Sequence, residues 1–128
     1  MCGQAPRIIE HPTNMTVVLH EPATLNCKSD GDPQPEVRWY RDGRPIDLTS
    51  SVRKALLPEG SLLFLEASQG KRDSDSGTYW CIAQNMYGEA VSRKANLIVT
   101  CKYTNEPIII LSFYVYHLYR LPKCNFLY

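Results

Sequence analysis

Asp75-Ser76-Gly77-Thr78-Tyr79-Trp80-Cys81, read together with Cys27 and Trp39 upstream, decides the fold of this chain. Residues 77–83 alternate as a half-buried strand does, so Tyr79 and Cys81 share one face and Trp80 takes the other. Ala23-Thr24-Leu25-Asn26-Cys27-Lys28 alternates in the same way, with Ala23, Leu25 and Cys27 on one side and Thr24, Asn26 and Lys28 on the other. Two inward cysteines on facing sheets can close a bond between the layers. In the chain-entropy account, a loop closed from residue 27 to residue 81 gains about 4 kcal/mol. Trp39 supplies bulk against that bond, and the Tyr79 hydroxyl can return to backbone at the corner before its strand. Gly77 is expected to allow a tight turn just ahead of it.

Working outward, turn residues recur at Glu21-Pro22, Asp30-Gly31-Asp32-Pro33, Asp42-Gly43, Pro58-Glu59-Gly60 and Tyr87-Gly88. Strand-length runs such as residues 37–41 and 95–99 lie between them, and no sustained helical period appears up to Thr100. The order Cys, Trp, then Asp-x-Gly-x-Tyr-x-Cys is that of an immunoglobulin core. The chain is therefore read as all-β, an immunoglobulin-like (I-set) antiparallel β-sandwich with one inter-sheet disulfide, Cys27 to Cys81. Trp39, Tyr79, Leu25, Leu62 and Phe64 fill its core. The competing reading is a reduced domain with buried thiols.

Length, 128 residues with 44% hydrophobic content, suits one packed domain. Fourteen basic against 13 acidic residues leave a formal charge of +1, so no global field recruits nucleic acid or anionic membrane. Five cysteines without a C-x-x-C pair point to disulfides and an oxidising compartment, not to zinc. His11, His20 and His117 lie far apart and carry no metal-ligand spacing, and no nucleophile or phosphate motif occurs. A binding module is expected, with no enzyme activity, metal or cofactor.

Ser61-Leu62-Leu63-Phe64-Leu65 is apolar on both parities, yet only one parity of a sandwich strand faces the core. With Leu62 and Phe64 inward, Leu63 and Leu65 stand on the outer face beside Asn26 and Lys28, as a contact patch or covered by long side chains or the first strand. Lys71 and Arg72 form a basic pair ahead of the last core strands. They are either a solvated turn or a grip for sulfate groups, with Asp73 and Asp75 weakening their field. Asn14-Met15-Thr16 is an N-glycosylation acceptor triplet. Trp80 faces outward and is expected to pack under its neighbours.

The runs Pro6-Arg7-Ile8-Ile9-Glu10-His11-Pro12, Glu21 to Lys28, Leu56-Leu57-Pro58-Glu59-Gly60-Ser61-Leu62 and Asn85 to Ser92 make the likeness specific. Over Pro6 to Thr100 the chain resembles the first immunoglobulin domain of Roundabout receptors, departing at Gln69 to Ser76, where the turn looks one residue shorter. The resemblance implies an extracellular domain of a guidance receptor that binds the leucine-rich repeats of secreted Slit, assisted by heparan sulfate. It implies Glu10, Asn26, Lys28, Leu63 and Leu65 as the ligand-facing positions and Lys71 with Arg72 as the heparan sulfate pair. The rival is a homophilic adhesion module of another neural immunoglobulin protein.

Boundaries are expected at an N-terminal extension over 1–5, the domain over 6–100 and an atypical tail over 101–128. No secretory signal is visible in the first residues, which suggests a fragment whose membrane attachment lies elsewhere. The apolar run Ile108 to Tyr116 is too short to span a bilayer. The tail is expected to be poorly ordered and foreign to a natural receptor. Cys2, Cys101 and Cys124 are left unpaired on this reading, with Cys101 to Cys124 an open alternative.

Overall fold

A computed structural model describes residues 3–70 and 74–101. Its strands are β1 (Gln4–Glu10), β2 (Met15–Val18), β3 (Ala23–Leu25), β4 (Lys28–Asp32), β5 (Glu36–Arg41), β6 (Arg44–Pro45), β7 (Lys54–Leu56), β8 (Leu62–Phe64), β9 (Gly77–Asn85), β10 (Gly88–Val91) and β11 (Ala95–Thr100). One layer holds β3-β8-β7 and the ladder β1-β4, with β4 carrying on the line of β3 past Asn26 and Cys27. The other holds β2-β11-β9-β5-β6, with β10 paired to β9. No helix occurs among the described residues.

Period two decides what each strand buries. In β3 and β8, Ala23 lies opposite Phe64 and Leu25 opposite Leu62, and all four side chains are buried. From the other layer, Trp39, Tyr79, Leu97 and Val99 meet them. Each fully buried side chain of this size contributes about 1.5–3 kcal/mol of transfer free energy. Cys27 and Cys81 are disulfide-bonded between the layers, with Cα atoms 6.5 Å apart. The polar ends of the aromatics are satisfied: the Trp39 indole N–H donates to Gly60 O at 2.7 Å, and the Tyr79 hydroxyl donates to Asp75 O at 2.6 Å. Phe64 meets Tyr79 edge to face, ring centres 5.6 Å apart.

Several details depart from the sequence reading. The strands are antiparallel save one pair, since β2 runs parallel to β11. The chain leaves β1 at Glu10, passes Pro12, and crosses to the other layer before Met15. Gln4 and Ala5, expected in an extension, lie inside β1, where Gln4 is the register partner of Asp32. Asp30, Gly31 and Asp32, expected in a turn, belong to β4 because β1 pairs with them. Gly77 opens β9 without a left-handed backbone. A β-carbon there would come within 3.0 Å of Asp42 Oδ2 and 3.1 Å of Arg41 Nε, so glycine serves a close approach, not a turn. Left-handed backbone occurs instead at other positions, among them Asp42 (φ 51°) and Gly43 (φ 88°) in the two-residue hairpin between β5 and β6. Cys101 is disulfide-bonded, contrary to the expectation that it stays unpaired. The expectations for Cys2, Cys124 and residues 102–128 lie outside the described residues.

Cys27 and Cys81 each hand their backbone N–H to a buried serine: Cys27 N donates to Ser61 Oγ at 3.1 Å and Cys81 N to Ser92 Oγ at 2.9 Å. Cys27→Ser or Cys81→Ser is expected to cost about 2–5 kcal/mol and to abolish secretion of folded domain. Ser61→Ala orphans a buried donor and is expected to cost about 1–3 kcal/mol. Chemical denaturation of purified variants measures both, and parental stability of either cysteine variant contradicts the role given to the bond.

Candidate ligand-binding face

The outer face of the β3-β8-β7 layer follows from the same parity. Leu63 is the register partner of Thr24 on one side and Ala55 on the other, which puts it opposite in sense to Leu62 and Phe64. Leu65, one step past the strand, is 53% exposed, while Leu63 is only half-buried. The two leucines expected as an equal pair are thus unequal, because Leu63 lies mid-ladder between two neighbours. Glu10, Asn26 and Lys28 are exposed, and Glu10 and Lys28 are register partners across β1 and β4. The first strand therefore pairs beside this face instead of lying over Leu65.

Charge on the neighbouring rim is largely paired. Arg7 donates to both Asp30 carboxylate oxygens, at 3.3 and 2.8 Å, and these bonds hold the Asp30 carboxyl below its ordinary range. Lys28 makes no ion pair among the described residues. Ile9, 48% exposed beside a register shift in β1, adds apolar area that the sequence reading left out. Its signal was the run Ile8-Ile9, where only Ile8 packs on the core.

On the opposite layer Trp80 is packed as expected. It stacks on Tyr40 with centres 5.9 Å apart and planes 6° from parallel, and Lys94 Nζ lies 5.0 Å over its ring. Asn14 is exposed, and its Oδ1 accepts the Asn96 N–H at 2.9 Å. His11 Nδ1 accepts the Arg93 N–H at 3.0 Å, and His20 Nδ1 lies 2.8 Å from Glu66 Oε1. His117, Lys71 and Arg72 lie outside the described residues. Among the described residues no group of His, Cys, Asp and Glu could hold a metal.

Asp75, expected to weaken the Lys71-Arg72 field, is ion-paired in the interior, and the basic pair itself lies outside the described residues. Asp75 is fully buried, with Arg53 Nη1 3.0 Å from Oδ2 and Lys54 Nζ 3.2 Å from Oδ1, and its Oδ2 also accepts the Ser68 N–H at 2.7 Å. Burial drives the neighbouring Tyr79 phenol well above its usual range. Sequence reasoning also missed Asn85. Its Nδ2 donates to Gln4 O at 2.8 Å and Pro33 O at 2.9 Å while its Oδ1 accepts the Tyr87 N–H at 2.8 Å. An asparagine two residues before Tyr87-Gly88 was the only local signal, and it does not reveal the distant partners.

Residues 5–85 match a family model described as immunoglobulin domain. Roundabout homolog 2 of Homo sapiens is 47% identical over 98 residues, which cover 73% of this chain and 7% of that protein. Protein sax-3 of Caenorhabditis elegans is 39% identical over 98 residues, 73% of this chain and 8% of that protein. The chain thus spans under a tenth of these relatives. Among solved structures, Sidekick-1 immunoglobulin domains 1-4 match with a TM-score of 0.67 at 28% identity, over 77% of this chain and 25% of that one. The match to Roundabout homologs bears out the likeness read from residues 6–100, and the solved structures bear out the sandwich.

Parity gives a direct check on the face. Leu65→Glu and Lys28→Glu are each expected to leave stability within about 0.5 kcal/mol of the parent. Leu62→Glu buries an unpaired charge and is expected to unfold the domain. Thermal unfolding distinguishes them, and equal losses for Leu62→Glu and Leu65→Glu would overturn the assignment of faces.

Proposed function

The chain belongs to the immunoglobulin domain family, and from that premise we propose that it is the ligand-binding module of a cell-surface guidance receptor. On this reading it is the counterpart of the Slit-binding first domain of Roundabout receptors, displayed outside the cell and without catalytic activity. The observation that carries the reading is Leu65, half exposed at one end of a sheet face, with Leu63 two residues nearer to the exposed polar Asn26, Lys28 and Glu10, which follow in the other direction along the same layer. An apolar patch bordered by polar residues suits a protein interface, in which water is excluded from the apolar part and charge steers at the edge. The partner is the leucine-rich-repeat surface of Slit. Heparan sulfate assists by bridging to Lys71 and Arg72, whose guanidinium and ammonium groups suit sulfate oxygens.

Leu63→Glu combined with Leu65→Glu is expected to weaken Slit binding by at least about 30-fold, the loss of one interface hot spot, while the domain stays folded. Lys28→Glu is expected to act on association rate and salt dependence. Lys71→Ala with Arg72→Ala is expected to lower heparin retention and to spare direct Slit contact. Surface plasmon resonance on immobilised Slit repeats measures the first two. A folded double leucine variant with parental affinity sinks the assignment, and self-association in solution without Slit binding favours the adhesion module instead.

A further inference from the structure

Asn14-Met15-Thr16 is the chain's only asparagine followed two residues on by serine or threonine, and the ligand reading makes no use of it. Met15 packs against the core and Val17 is buried in it, so the alternation of β2 turns Asn14 and Thr16 outward, where both are exposed. The Asn96 N–H needs an acceptor, so the atom of Asn14 it meets at 2.9 Å is Oδ1. Nδ2 has no hydrogen bond to the described residues. β2 is also the terminal strand of its sheet, with Thr16 the register partner of Ile98, which is 54% exposed. A strand paired on one side only, beside an exposed isoleucine, invites strand addition from another chain.

We propose that Asn14 carries an N-linked glycan, and that this glycan shields the open edge of β2 and Ile98 while leaving the opposite layer, with Leu65, clear. The inference rests on the extracellular reading above. In the transfer, Nδ2 forms a bond to the anomeric carbon of a lipid-linked oligosaccharide as the bond from that carbon to the pyrophosphate oxygen breaks. The amide loses a proton and the lipid pyrophosphate departs. The Thr16 hydroxyl is the recognition group two residues on. Attachment through Nδ2 keeps the Oδ1 bond to Asn96, so the modified side chain retains its seat at the start of β2.

The test secretes the 128-residue chain from mammalian cells behind a cleavable leader and compares intact mass before and after peptide N-glycosidase F. The expected result is one glycan, lost in Asn14→Gln and in Thr16→Val. Asp47→Asn adds a second acceptor triplet with Leu48 and Thr49 at an exposed loop and serves as the control. A glycan on that variant at residue 47 alone, with none on the parent, overturns the proposal and leaves the receptor reading standing. A glycosylated parent that fails to bind Slit supports the proposal and removes the receptor reading. Where Slit binds, enzymatic deglycosylation is expected to change its affinity by less than about twofold, or about 0.4 kcal/mol. Sedimentation is expected to show more self-association of Asn14→Gln than of the glycosylated parent. A tenfold or larger change in Slit affinity, or unchanged sedimentation, overturns the shielding.

Discussion

The bond between Cys27 and Cys81 ties the two layers at points where both of their strand ladders are interrupted. Cys27 lies between β3 and β4, outside either ladder. On β9, pairing with β11 ends at Tyr79 and pairing with β10 begins at Ile82, so Cys81 falls in the gap on that side. Buried backbone N–H groups at such gaps cost free energy unless something accepts them. Ser61 and Ser92 do so, one for each cysteine, and both serines are themselves buried. The bond and its two serines act together. The sulfurs fix which side of each strand is inside, and the hydroxyls fix how the adjacent segments sit against it.

That constraint reaches the outer face through β8. Ser61 stands immediately before Leu62, so its hydroxyl bond to Cys27 N–H sets the register of β8 against β3. A slip of one residue would bury Leu63 and Leu65 and expose Leu62 and Phe64. Because β8 is apolar on both parities, hydrophobicity alone discriminates weakly between those registers. The serine bond and the Leu57 N–H donating to Ser61 O at 2.8 Å supply the discrimination that the pattern lacks. Stability and the proposed binding face therefore depend on the same short segment.

The core was legible because it is written in strict alternation and in residue types that few environments accept. Trp39, Tyr79, Leu25, Leu62 and Phe64 are each buried to 1% exposure or less. Outward side chains were legible as a set but not in degree, since alternation says nothing about how far a ladder neighbour covers Leu63. Interactions between charged or amide groups far apart in sequence were not legible at all. Arg7 with Asp30, Asp75 with Arg53 and Lys54, and Asn85 with Gln4 and Pro33 each require knowing which strands become neighbours. Glycine was misread at residue 77 because a turn and a close approach leave the same mark in a sequence.

Asp75 shows how a buried charge can hold neighbouring segments together. Its carboxylate draws in Arg53, Lys54 and the Ser68 N–H, and the Asp75 N–H donates back to Ser68 O at 2.8 Å. Gln69 and Ser74 form a bridge just above that pair. Ser68, Gln69, Ser74 and Asp75 are thereby held together at the buried end of the sandwich. Two cations, Arg53 and Lys54, compensate the Asp75 charge. An ion pair of this kind adds little net stability, because desolvation offsets much of its attraction. Its effect is geometric. It holds the described residues Ser68 and Asp75 to the buried end of the sandwich.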